Sequence, residues 1–131
     1  MAKGLYHATT QGITVSVQPQ FLEDQSQPSE GRYVWAYHIV IENGGREQVQ
    51  LLNRHWRITN AAGRMDEVRG PGVVGETPLL FPGQSFSYSS GCMLRTQFGT
   101  MQGSYQMVRP DGSMFDAEIS PFLLALPHAI N

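Results

Sequence analysis

The chain has one cysteine in 131 residues, Cys92, so no intrachain disulfide can staple it and the fold must rest on apolar packing. A disulfide framework of the kind small secreted domains use is excluded, and a reducing compartment is expected. Long hydrophobic runs are missing too. Nothing approaches the roughly 18 apolar residues that a bilayer-crossing helix requires. The opening Met-Ala-Lys-Gly-Leu-Tyr-His lacks the apolar stretch of a signal peptide, so the expected location is cytoplasmic with no membrane association.

Positive charge is scarce. Nine Lys and Arg stand against eleven Asp and Glu, a net charge of −2, which gives no broad cationic field for a polyanion and argues against nucleic acid as a partner. Lysine is almost absent, Lys3 being the one example beside eight arginines. Helical periodicity is absent as well. No window of eleven residues carries apolar positions at i, i+3, i+4 and i+7, and Gly or Pro interrupts nearly every candidate stretch.

The residues that are present read as strands. With 40% hydrophobic and 10% aromatic residues, the chain can build one core, and its length suits one domain over residues 1–131, with a core over about 8–126. Ile13, Val15 and Val17 alternate with polar residues, and Pro19 weakens that strand. Tyr33, Trp35, Tyr37, Ile39 and Ile41 occupy every second position and predict the strongest strand. Asn43-Gly44-Gly45 predicts a tight hairpin turn into a strand over 49–59 with Trp56 and Ile58 on one face. That alternation turns His55 and Arg57 outward. Cys92 and Leu94 share an inward face, and Pro110-Asp111-Gly112 predicts a hairpin between the last two strands. Seven or eight short antiparallel strands with regular turns predict an all-β, immunoglobulin or fibronectin type III-like β-sandwich, in which the irregular 70–83 segment carries the chain between sheets.

Few residue patterns carry chemistry. Gly70, Gly72 and Gly75 match G-x-G-x-x-G, with Val73 and Val74 between them, but no helix follows and Pro71 removes an amide, so a dinucleotide fold does not fit. A smaller anion-binding nest beside Arg69 is the alternative, taking a phosphate-containing small molecule, a nucleotide or pyrophosphate. His7, His38, His55 and His128 show no metal-ligand spacing, which leaves any divalent-cation site unassigned. No nucleophile elbow, catalytic triad or phosphate loop is present, so the chain is expected to be no enzyme and to need no cofactor.

The sequence also resembles a known family. The run His55-Trp56-x-Ile58, then Val68-x-Gly70-x-Gly72-Val73-Val74-Gly75-x-x-Pro78, Phe81-Pro82-Gly83, Phe86-x-Tyr88-x-Ser90 and Gly103-x-Tyr105 resembles the bacterial ApaG proteins over about residues 8–126. The resemblance implies a fibronectin type III-like sandwich. It also implies an association with cobalt and magnesium efflux or resistance and, from related domains attached to F-box and polymerase-interacting proteins, a role in binding other proteins. The reading that follows is a non-catalytic module for a protein partner, acting as monomer or homodimer through Arg69, Gly70, Gly72, Val73, Val74, Gly75, His55 and Arg57. Anion binding and divalent-cation binding are the alternatives.

Overall fold

The computed structural model describes residues 5–127, and His128 lies outside them. Nine strands form: β1 (Tyr6–Thr10), β2 (Ile13–Phe21), β3 (Tyr33–Asn43), β4 (Val49–Asn60), β5 (Met65–Pro71), β6 (Leu79–Leu80), β7 (Ser85–Leu94), β8 (Gly99–Val108) and β9 (Met114–Leu124). Two 3₁₀ turns, Glu23–Gln25 and Pro28–Glu30, lie in the loop between β2 and β3. No helix among the described residues is long and apolar enough to cross a membrane.

One sheet runs β1-β2-β3-β7 and the other β5-β4-β8-β9, with β6 beside the start of β4, and every pairing is antiparallel. This is the sandwich that the alternation predicts. The inward residues of β3, namely Tyr33, Trp35, Tyr37, Ile39 and Ile41, are all buried, as are Met101, Tyr105 and Met107 on the facing β8. Buried side chains of this size contribute about 1.5–3 kcal/mol each through removal of apolar surface from water. The Trp35 indole also donates to the Ala125 carbonyl at 2.9 Å, fixing the chain end that follows β9 across the opposite sheet.

Four details differ from the sequence reading. β1 and β6 were not expected. β1 is polar along most of its length and shows itself through its ladder with β2, while β6 is two residues long. β2 continues through Pro19 to Phe21: among the described residues β1 pairs only as far as Val17, which leaves that side of Pro19 an edge, where proline is tolerated. The Asn43-Gly44-Gly45 turn is an arch between the sheets rather than a hairpin, since β3 and β4 belong to different sheets. Asn43, 1% exposed, holds that arch: its amide donates to the carbonyls of Glu47 and Leu80, and its oxygen accepts from Gly45 N–H. Finally, the passage between sheets after β5 is narrower than the whole 70–83 segment. Gly70 and Pro71 end β5, β6 still pairs with β4, and the crossing occurs at 81–84.

The Pro110-Asp111-Gly112 hairpin forms as read. Gly112 N–H donates to Arg109 O, and the Asp111 carboxylate accepts from Ser113 N–H.

Candidate functional site

A bulge in β4 decides what this sheet shows to each side. The register with β8 shifts between Leu51 and Asn53, so Val49 and Leu51 point inward before it, and Arg54, Trp56 and Ile58 point inward after it. His55 and Arg57 therefore face out, as the alternation predicts. Arg54 faces in. Across the inner face it stands in one row with Gly70 on β5 and Tyr105 on β8.

The outer face collects polar side chains. His55 pairs with Arg69 on one side and Ser104 on the other, and Arg57 pairs with Glu67. His55 Nε2 lies 2.7 Å from Glu67 Oε2, and Arg69 Nη2 lies 3.4 Å from the same oxygen. The His55 hydrogen bond, with Arg69 and Arg57 nearby, holds the Glu67 carboxyl below its usual range. A shallow hollow of about 480 Å³ lies over Asn53, His55, Arg69, Ser104, Gln106 and Asp116, and Arg54 also contributes to its lining beside Gly70 and Pro71. Its lining carries charges of both signs, Arg69 and Asp116 among them.

The inner side opens differently. At one side of the sandwich, β5 ends one sheet and β7 ends the other, and between them a cleft of about 490 Å³ reaches the core. Its floor includes Tyr37, Trp56 and Tyr88, and its lips carry Val68, Val74 and Met93, which are 40%, 56% and 49% exposed. Trp56 packs edge-on against Tyr37 with ring centres 5.4 Å apart. The Tyr88 and Tyr105 hydroxyls, from opposite sheets, meet at 2.5 Å. Burial pushes both phenols and that of Tyr37 above their ordinary range, and the neighbouring Arg54 cation pulls each back in part. Burial also pushes the Cys92 thiol, half-buried in the cleft wall, up to about 11.

The glycine-rich segment forms one lip. Gly72 adopts φ +60, a left-handed conformation that favours glycine, and a Cβ there would run into the Glu76 carbonyl. Val74, a β-branched residue, also adopts positive φ, at +43. The backbone amides of Gly72, Val73 and Glu76 donate to Leu52, Glu76 and Val73 carbonyls, and Pro71 has no amide, so most of the N–H groups a phosphate nest would use are already bonded. What the segment presents instead is carbonyl oxygen. Arg54 Nη1 donates to Pro71 O at 2.9 Å and to Gly72 O at 3.0 Å.

The structure thus divides the residues singled out in the sequence. His55, Arg57 and Arg69 gather on the outer face around Glu67. Val74 and Gly75 line the cleft, with Val73 buried beneath them, and Gly70 lies under the Arg54 guanidinium, where a Cβ would sit 3.0–3.1 Å from it. Among the described residues, no group of three or more His, Cys, Asp or Glu is placed to hold a metal ion. Arg54, Tyr37 and Tyr88 were not singled out. The signal for Arg54 was the mismatch between odd-numbered Val49 and Leu51 and even-numbered Trp56 and Ile58, which requires a bulge and puts Arg54 inside.

Comparison with known proteins agrees with the residue-level resemblance. A family model described as the ApaG domain matches residues 23–109. Protein ApaG of Brucella anthropi is 57% identical over 123 residues, 94% of this chain and 95% of that protein. Protein ApaG of Azotobacter vinelandii is 57% identical over 119 residues, 91% of this chain and 94% of its own. Among solved structures, the putative ApaA protein from Bordetella pertussis superposes with a TM-score of 0.86 at 50% identity, covering 88% of this chain and 94% of that one. The matched span holds the cleft, the glycine-rich lip and Arg54 alike, and by sequence and by structure the chain belongs to the ApaG family.

Proposed function

We propose that this protein is a non-catalytic binding domain that takes an extended segment of a partner protein at the cleft between β5 and β7. The observation that carries the reading is the ten-residue β7 edge, which among the described residues has no strand on its outer side and borders a cleft with an aromatic floor and apolar lips. An unpaired strand edge offers backbone donors and acceptors to an incoming strand, and adjacent apolar pockets select alternate side chains. Burial raises the Cys92 thiol and the Tyr88 phenol, which disfavours their anions and gives a nucleophile in the cleft no support. The bonded amides of the 72–76 turn give the phosphate-nest alternative less support than the cleft has.

The test is selection from a library of displayed random dodecapeptides, followed by amide shift mapping with a selected peptide. Enrichment of peptides sharing an apolar residue, with shifts confined to β5, residues 72–76 and β7, is the expected result. Met93→Asp, at an exposed lip position, should abolish retention while leaving the fold intact. No enrichment, shifts mapping elsewhere, or concentration-dependent dimers that pair two β7 edges would overturn the reading.

A further inference from the structure

Arg54 is a charged residue at an inward position of a sandwich, and its role in the fold does not use all of it. The Nη1 group is committed to the Pro71 and Gly72 carbonyls. No carboxylate lies within ion-pair distance of the guanidinium among the described residues, and Nε and Nη2 make no hydrogen bond there. No buried side-chain nitrogen or oxygen among them lacks a partner, so these two nitrogens keep some access to solvent, and Arg54 lines the cleft as well as the outer hollow. The chain makes room for this placement. Gly70 stands opposite Arg54 in the β4–β5 register, and its missing side chain lets the planar guanidinium lie across the strand.

Within the cleft the charge pattern is one-sided. Of the residues lining the cleft, Arg54 is the one with a charge, and the remainder are apolar, aromatic or neutral polar. A half-buried cation that keeps two donors open, in surroundings that screen weakly, attracts a single anionic group with planar, forked acceptors. A carboxylate fits that description. A phosphate carries nearly two charges into a mostly apolar cleft, which needs more cations or free amides than this one supplies.

We propose that Arg54 reads a carboxylate, so that the segment bound in the cleft carries an acidic side chain or a free C-terminus at a fixed spacing from an apolar anchor lodged near Trp56 and Tyr88. This inference rests on the cleft being the docking site and adds the chemistry of its occupant. Arg54 then joins two functions: through Nη1 it ties the glycine-rich lip to β4, and through Nε and Nη2 it holds the ligand.

The dodecapeptide selection, repeated on the Arg54→Gln variant, tests this. Peptides selected on the unaltered protein should share an acidic residue or terminal carboxylate near the apolar one, and those selected on Arg54→Gln should keep the apolar residue and lose the acid. With a selected synthetic peptide, replacing its acid by the amide should weaken binding about tenfold, and that loss should vanish in Arg54→Gln. Peptides with free and amidated C-termini distinguish the two sources of carboxylate. The comparison of acid and amide peptides on the unaltered protein stands even if the variant fails to fold. Selected peptides with no acidic preference would overturn the carboxylate role while leaving cleft docking in place. Arg54-dependent binding of inorganic pyrophosphate, with no acidic preference among peptides, would overturn it too by giving the site to phosphate. No enrichment at all would remove the docking reading and this inference together.

Discussion

Val74 combines two costs in one residue: a β-branched side chain in a left-handed backbone conformation and a large exposed apolar surface. Such a conformation costs on the order of 1–3 kcal/mol, and a site that keeps it gains something from the side chain it displays. Val74→Gly removes both. Glycine relaxes the strain but adds entropy to the unfolded chain, so the net expectation is a gain of about 1 kcal/mol in urea stability together with weaker peptide retention. Greater stability with unchanged retention would separate Val74 from the cleft's function. Cys92 supports a pH prediction. Its thiol ionises near 9 when exposed and near 11 in the fold, because burial disfavours the thiolate. Between those values the unfolded chain has lost a proton that the native state keeps, so stability falls as pH rises from 9 towards 11 and is unaffected by this group below 9. The raised Tyr37 and Tyr88 phenols act in the same direction above pH 10. Urea midpoints measured from pH 7 to 11 should decline from about pH 9, and Cys92→Ala should remove the earliest part of the decline.

At the scale of the element, the β4–β8 pair is the most constrained contact. Gly103 stands opposite Trp56, and a Cβ at that position would be driven into the His55 carbonyl, so the two strands approach more closely than any side chain allows. Gly103→Ala has to spread the central pair of its sheet, at a cost on the order of 3 kcal/mol. Gly91, on the β7 edge, gives the contrast. A Cβ there meets nothing nearer than the Trp35 carbonyl at 3.4 Å, ordinary contact, so Gly91→Ala should change stability by less than about 1 kcal/mol. Equal losses in urea melts of the two variants would contradict the close-approach account. The sequence could not separate these glycines, because what distinguishes them is a carbonyl from a strand nearly fifty residues away, which only the sheet register supplies.

At the scale of the molecule, period-two alternation made the fold legible wherever one strand face is apolar along its length, as in β3, where the inward set is buried as read. It failed where the face is polar or the strand too short, in β1 and β6, and it missed that Asn43 closes an arch between sheets. The outward placement of His55 and Arg57 followed from counting against Trp56. The cleft did not, because it is made by two strand edges, β5 and β7, distant in sequence and in different sheets. The same layout sets an order of local stability. β8 is paired on both sides with its inward residues buried, whereas β5 is paired on one side and exposed along nearly its whole length. Local opening is easiest where few buried contacts must break, so amide exchange should be slowest in β8 and fastest in β5 and the 72–76 turn. A selected acidic peptide bound at Arg54 ties the 71–72 carbonyls, β4 and β7 into one unit, and it should slow exchange in β5, the turn and β7 while leaving β8 unchanged. Exchange as slow in free β5 as in β8, or protection spread evenly over both sheets on binding, would show that the open side of the sandwich is not where the ligand acts.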